Sequence, residues 1–133
     1  MRVAEFLRLQ LNFQMYSDTD ITSLITEGIQ EKKGKGITII DLSEIEMASA
    51  GKFILCEGRS PSQVCAIADS VRELVHDRGK RKPYNYDGYR NGQWIVIDYG
   101  EIMVHIFVPE VRERYNLEEL WADGVISSIP DLD

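Results

Sequence analysis

The chain has 133 residues, of which 44% are apolar and 28% are charged, a balance typical of one globular domain and unlike collagen-like, mucin-like or wholly disordered chains. Its net charge of −7 argues against a general binder of nucleic-acid phosphates and favours a basic protein partner. Its two cysteines, Cys56 and Cys65, are too few for a secreted disulfide scaffold and indicate free thiols in a reducing cytosol.

The sequence carries no membrane or targeting signal. Arg8, Gln10 and Asn12 interrupt the apolar residues of positions 1–15, so this segment lacks the continuous apolar run of a signal peptide. No stretch approaches the ~20 apolar residues of a membrane-spanning helix. We therefore expect a cytoplasmic protein without a membrane partner, in which residues 1–17 are an N-terminal extension.

The first half of the chain predicts helix, strand, strand and helix. The first helix begins at the capping residues 18–20 and ends in the glycine-containing run 31–36. A strand over residues 37–42 is apolar and β-branched at nearly every position, which is typical of a strand covered on both faces. A loop or short turn over residues 43–51 then leads to a second buried strand over residues 53–56.

The second helix has the clearest start and stop signals in the chain. Ser60 can cap it, Pro61 suits its first turn and Gln63 completes a capping box. Gly79 is expected to end it, and the short basic run Lys80, Arg81 and Lys82 follows.

The second half of the chain predicts three strands and a helix. A short strand over residues 84–86 precedes a hairpin with strands over 94–99 and 102–108, and a helix over 110–121 and an acidic tail over 126–133 follow. No repeat or linker divides residues 18–125, so we expect one domain there. Strands mixed with helical crossovers predict an α/β fold of the α+β type, with a single mixed sheet flanked by helices.

The hairpin offers the best candidate site. A two-residue turn at Gly100-Glu101 places Ile95 and Ile97 opposite Ile106 and Val104, which makes one face purely aliphatic. The other face combines apolar, aromatic and polar side chains, the composition of a protein-binding patch. Its residues are Trp94, Val96, Asp98, Met103, His105 and Phe107. The alternative is that a helix covers this second face too.

Signals for an enzyme are weak. The chain lacks the phosphate-binding, zinc-protease and nucleophile-elbow motifs, and the turn at Gly58 to Ser60 is explained as a capped strand–helix junction. Asp41 and Asp98 show no spacing typical of paired catalytic carboxylates or metal ligands. His76 and His105 lie far apart in sequence without a neighbouring cysteine and make a weak zinc case. We therefore predict no catalytic residue, cofactor or metal.

Three segments together are recognisable: GQWIVIDYG at residues 92–100, VHIFVPE at 104–110 and RYNLEELW at 114–121. They closely resemble the ribosomal silencing factor family RsfS, also called the Iojap family. EGIQEKKG at residues 27–34 and the pattern Gly58-x-Ser60-x-x-Gln63 match further family segments, and the resemblance covers residues 18–125. The chain departs from the family at AGKF, residues 50–53, where members commonly carry a stretch like Thr-Asp-Tyr-Phe.

The resemblance implies a nucleotidyltransferase-like fold without known transferase activity. It implies a translation repressor that binds a basic protein of the large ribosomal subunit, the fourteenth in bacterial naming, at the intersubunit face. It also points to the strand of Trp94 as part of the docking surface. A homodimer off the ribosome and a minor contact of Lys80 to Lys82 with ribosomal RNA stay open. The alternatives are a divergent nucleotidyltransferase-like enzyme that uses Gly58 and Ser60, and an RNA-binding ribosome assembly factor.

Overall fold

The computed structural model describes residues 18–132. The predicted N-terminal extension, residues 1–17, lies outside the described residues. The helices are α1 (Asp18–Glu31), α2 (Pro61–Gly79), α3 (Pro109–Tyr115) and α4 (Leu117–Leu120). The strands are β1 (Lys35–Asp41), β2 (Lys52–Glu57), β3 (Asn85–Asp87), β4 (Trp94–Asp98), β5 (Ile102–Phe107) and β6 (Val125–Ser128). Within residues 18–132 no helix is both long and apolar enough to cross a membrane.

The six strands form a single mixed sheet in the order β3-β4-β5-β2-β1-β6. β2 and β5 pair in parallel, and the other four neighbouring pairs within the described chain are antiparallel. The predicted α+β architecture is therefore confirmed. The parallel pair joins two antiparallel halves, so the hairpin of β4 and β5 lies directly beside the buried strand β2.

Helices α1 and α2 pack closely on each other and cover the aliphatic face of the sheet. A Cβ on Gly28 would lie 2.9 Å from the Cα of Val71, so the approach of the two helices requires glycine there. Gly79 also lies at this contact, but a Cβ there would meet only the terminal methyl carbons of Ile21 and Leu24 at 2.9 Å, which can shift. Gly79 is the last residue of α2, as predicted, but Lys80 is the residue in the left-handed conformation, with φ of 55°.

The predicted helix over residues 110–121 is wrong in one respect, since it is broken into α3 and α4. Asn116 between them is left-handed, with φ of 44° and ψ of 62°. Asparagine tolerates this conformation because its short side chain can hydrogen-bond locally. Its Oδ1 accepts a hydrogen bond of 3.3 Å from the backbone N–H of Glu119 and so caps α4. Helical periodicity alone does not reveal such a break.

The predicted acidic tail begins inside the sheet. Val125 to Ser128 pair antiparallel with β1, and the N–H of Ile129 donates to the carbonyl of Ile37 at 3.0 Å. Beyond the strand, the N–H of Gly36 donates to Oδ1 of Asp131 at 2.9 Å. The exposed backbone edge of β1 explains this placement, because its N–H and C=O groups need partners.

Arg112 anchors α3 to the sheet. Its guanidinium donates to the carbonyl of Gly36 at 2.8 Å and to Oγ1 of Thr38 at 3.0 Å. The same group lies 3.5 Å from carboxylate oxygens of both Glu57 and Glu118, and its side chain is only 12% exposed. A charged donor held by these partners ties α3 to β1.

Replacing Arg112 with methionine tests this anchor. Arg112→Met keeps the apolar stem and removes the charged hydrogen bonds, so we expect the free energy of unfolding to fall by about 2 kcal/mol. Arg78→Met is the control, because Arg78 pairs with Glu27 at 2.8 Å with side chains 56% and 50% exposed, and a pair of this kind contributes about 0.5 kcal/mol. Chemical denaturation at pH 7 measures both losses. Equal losses would contradict the anchoring role.

Candidate partner-docking face

The register of the hairpin is the predicted one. Trp94 lies opposite Phe107, Val96 opposite His105 and Asp98 opposite Met103. The N–H of Tyr99 donates to the carbonyl of Ile102 at 2.9 Å, and Gly100 has φ of +90°, as a two-residue turn with glycine in its first position requires. The mixed apolar and polar residues therefore share the sheet face opposite α1 and α2. We call this face the docking face.

The six predicted residues of the docking face divide into two groups. Four are partly exposed and reach the surface: Trp94, Val96, Asp98 and Met103. His105 is only 5% exposed and Phe107 is 0% exposed. Neighbouring aromatic rings cover these two side chains, so the expectation that all six residues lie at the surface is corrected for His105 and Phe107. They form the floor of the face instead.

An aromatic cluster makes that floor. Trp94 stacks on Phe107 with centroids 5.1 Å apart and an interplanar angle of 27°. Phe53 of β2 meets His105 edge-on at 4.7 Å, and Trp121 meets Phe53 at 5.8 Å. The alternative that a helix covers this second face too is partly right, because Trp121, which follows α4, packs on Phe53 of β2. The part above β4 stays partly open.

Tyr115 is a residue of this face that the sequence analysis did not include among the candidate site residues. Its ring centroid lies 4.9 Å from that of Trp94, yet the residue is 52% exposed. It stands at the end of α3, just before the break at Asn116, so it borders Trp94 without being enclosed. Leu120 on α4 is 69% exposed. In the sequence, the resemblance of residues 114–121 to the family was the signal that could have added this segment to the candidate site.

His105 and Trp94 are joined by a hydrogen bond. Nε1 of Trp94 lies 3.1 Å from Nδ1 of His105. An indole N–H can only donate, so Nδ1 must accept and Nε2 carries the proton of the neutral imidazole. Burial lowers the pKa of His105 to about 4, because a charged imidazolium would be desolvated there. The side chain is therefore neutral at pH 7.

Asp98 has a structural contact within the turn. Its Oδ1 accepts a hydrogen bond of 2.7 Å from the N–H of Gly100. The neighbouring AGKF stretch packs on the same turn, since the N–H groups of Gly51 and Lys52 both donate to the carbonyl of Glu101 at 2.9 Å. The departure from the family at this stretch thus lies beside the hairpin turn.

The polar groups considered for enzymatic chemistry do not converge. Asp41 and Asp98 belong to β1 and β4, three strands apart, or roughly 14 Å. Oδ1 of Asp41 accepts from both the N–H and the hydroxyl of Ser43, and these bonds lower its pKa. Among residues 18–132 no group of three or more metal-ligating side chains is found. His76 lies beside Asp77 on α2, apart from His105.

The turn at Gly58 to Ser60 has its hydrogen bonds made internally. Oγ of Ser60 accepts from the N–H of Gln63 at 3.2 Å, and Oε1 of Gln63 accepts from the N–H of Arg59 at 2.7 Å. Nε2 of Gln63 also donates to the carbonyl of Lys32 at 3.1 Å. The predicted cap at Ser60 is confirmed, but the capping box is not complete, because Gln63 accepts from the N–H of Arg59 and not from that of Ser60. Gln63 also ties α2 to the end of α1.

The basic run after α2 is partly engaged by the protein. Nζ of Lys80 donates to the carbonyl of Asp77 at 2.7 Å, and the guanidinium of Arg81 donates to the carbonyl of Tyr99 at 3.1 Å. Lys80 is thus held at the end of α2, and Arg81 contacts the hairpin just before its turn.

Comparison with known proteins gives a consistent result. Residues 17–133 match the family model RsfS, described as ribosomal silencing factor during starvation. A ribosomal silencing factor RsfS of Halalkalibacterium halodurans is 32% identical over 111 residues, which cover 81% of this chain and 91% of that protein. A crystal structure from Chromobacterium violaceum superposes with a TM-score of 0.74 at 32% identity, covering 78% of this chain and 85% of the other.

A more distant relative is a mouse protein named mitochondrial assembly of ribosomal large subunit protein 1. It is 28% identical over 104 residues, which cover 77% of this chain and 45% of the mouse protein.

The buried histidine predicts a pH dependence of stability. Its pKa falls from 6.5 in the unfolded chain to about 4 in the folded one, so the unfolded chain binds the proton first as the pH falls. The stability contributed by neutral His105 is therefore fully present above pH 6.5 and is lost as the pH falls towards 4. Between pH 7 and pH 5 we expect this residue to lower the free energy of unfolding by about 2 kcal/mol.

Denaturation at the two pH values, in the wild type and in two variants, measures this effect. His105→Leu should remove most of the difference, whereas His76→Asn, at an exposed histidine, should retain it. If His105→Leu shows the same difference in free energy of unfolding between pH 7 and pH 5 as the wild type, other groups cause that difference.

Proposed function

Since the chain belongs to the RsfS family of ribosomal silencing factors, we propose that it binds the large ribosomal subunit through the docking face, prevents joining of the small subunit and so represses translation. The observation that carries this proposal is the partly exposed Trp94, set on an aromatic floor and bordered by the half-exposed Tyr115. Tryptophan and tyrosine dominate the binding energy of protein interfaces when they are held in packed surroundings.

The chemistry of the surface suits a protein partner. The docking face is apolar and aromatic, with Val96 next to Trp94 along β4 and Met103 near the turn opposite Asp98, and its described residues offer no cluster of cations for a phosphate backbone. The net charge of −7 favours a basic partner and would mainly speed and orient the encounter. The family resemblance points to the fourteenth large-subunit protein at the intersubunit face as that partner.

The mechanism we propose is steric. A folded domain of this length has a radius of gyration of roughly 14 Å. A body of that size on the intersubunit face would occupy space that the small subunit needs. The protein would then act in the cytoplasm by occupancy alone, without catalysis or a cofactor, and a homodimer would be compatible with its free state.

A role in assembly of the large subunit is the second candidate. The observation that favours it is the name of the mouse relative, which refers to assembly of the large subunit. Both roles use a large-subunit surface, so they are separated by the step affected. Silencing acts on finished subunits, whereas assembly changes the accumulation of mature large subunits in growing cells.

Tyr115→Ala tests the docking face, with Tyr84→Ala as matched control. Tyr115 is 52% exposed and borders Trp94, whereas Tyr84 is 81% exposed and lies against Gly100 at the opposite end of β4. We expect Tyr115→Ala to weaken binding to isolated large subunits about tenfold, because an aromatic anchor is lost, and the control to bind normally. Co-sedimentation measures the affinity, and sucrose gradients after addition of small subunits measure subunit joining.

Two outcomes would contradict this proposal. One is unchanged binding and unchanged inhibition of subunit joining by Tyr115→Ala. The other is wild-type protein that binds finished large subunits and leaves subunit joining intact, which would favour the assembly role.

The basic run is expected to contribute little. Lys80→Ala with Lys82→Ala removes two cations and leaves the hydrogen bond from Arg81 to Tyr99 in place. Affinity for the large subunit at physiological salt should change less than about threefold, because contact is made mainly with protein. A loss above tenfold that low salt restores would instead show direct contact with ribosomal RNA.

A further inference from the structure

We infer that His105 is a positioning residue for docking, which holds the indole of Trp94 in one of its two possible orientations. The inference rests on the proposed function, because it concerns the same face and explains how its central side chain is held ready for a partner. His105 itself is 5% exposed and would not touch that partner.

Stacking alone leaves the orientation of Trp94 open. The ring lies at 27° to Phe107, with centroids 5.1 Å apart, and at 42° to Tyr115, with centroids 4.9 Å apart. These contacts set the plane of the indole. A rotation of about 180° around χ2 roughly preserves that plane and exchanges the two edges of the ring, since this torsion is broadly two-fold.

The hydrogen bond to His105 distinguishes the two edges. Nε1 of Trp94 donates to Nδ1 of His105 at 3.1 Å, which holds the N–H edge of the indole towards the sheet. The two residues are diagonal neighbours across the hairpin, since His105 lies opposite Val96. A fixed orientation lowers the entropy that Trp94 would lose when it docks.

The imidazole is a poor choice for stability alone. Phe53 meets it edge-on at 4.7 Å and Phe107 lies parallel to it at 6.0 Å, so its surroundings are aromatic. Its Nε2 is buried and has no hydrogen-bond partner among the described residues. A buried donor without a partner destabilises the fold, and an apolar side chain of similar size would avoid that. The acceptor at Nδ1 is what the histidine adds.

Two substitutions separate positioning from packing. His105→Leu fills the space and removes the acceptor. His105→Asn carries an amide oxygen on Cγ, the atom that bears Nδ1 in histidine, and so retains an acceptor in a smaller side chain. We expect the free energy of unfolding to be highest for His105→Leu, which removes the unpaired donor, and lowest for His105→Asn, which underfills the site. The wild type should lie between them.

Docking should follow a different order. We expect His105→Leu to bind large subunits about tenfold more weakly than wild type and His105→Asn to bind within about threefold of it. In a Trp94→Phe background, which lacks the indole N–H, His105→Leu should cause no further loss. Affinities that simply follow stability, or a full further loss in the Trp94→Phe background, would overturn the inference.

A measurement without ribosomes keeps this test separate from the proposed function. The indole N–H signal of Trp94 is followed by NMR, with Trp121→Phe to assign it, and its exchange with solvent is compared between wild type and His105→Leu. Faster exchange by tenfold or more in His105→Leu supports positioning, and unchanged exchange refutes it. If wild-type protein does not bind large subunits, the proposed function fails while the exchange rates still decide whether His105 holds Trp94.

Discussion

The pairing register of β4 with β5 is the constraint on which the rest of the structure depends. Side chains alternate across a sheet with a period of two, so a slip of one residue would exchange the aliphatic and aromatic faces. Contacts at the turn oppose such a slip. Asp98 binds the N–H of Gly100, and the carbonyl of Glu101 accepts from the N–H groups of Gly51 and Lys52. The turn is thereby joined to the buried strand β2.

The two faces of the sheet are covered to different extents, and this difference creates the site. Helices α1 and α2 bury the aliphatic face, and Gly28 allows the helices to approach each other. Within residues 18–132, the opposite face receives the short helices α3 and α4 and residues that follow them, such as Trp121. Arg112 holds this cover against β1, and the break at Asn116 places Tyr115 beside Trp94. The cover ends there, so Trp94 remains partly exposed.

A rigid surface would suit the steric mechanism proposed above. Side chains already held in their docked arrangement lose little entropy on binding, so more of the contact energy appears as affinity. Stacking with Phe107, the hydrogen bond to His105 and the border formed by Tyr115 all restrict Trp94 in the free protein. The cost falls on the fold, where a neutral imidazole is buried with an unpaired N–H. On the proposed function, this arrangement favours recognition of a partner over maximal stability.

Local patterns were sufficient to determine much of this protein. The cap at Ser60, the two-residue turn at Gly100 and the alternation from Trp94 to Phe107 all act over a few residues, so the hairpin register and the membership of each face follow from the sequence. Coverage of those faces depends on residues distant in the chain. Only the tertiary structure decided that His105 and Phe107 are buried, that β6 pairs with β1 and that Asn116 breaks the last helix. Alternation states which side chains share a face, but burial depends on what packs against that face, and that is set by long-range contacts.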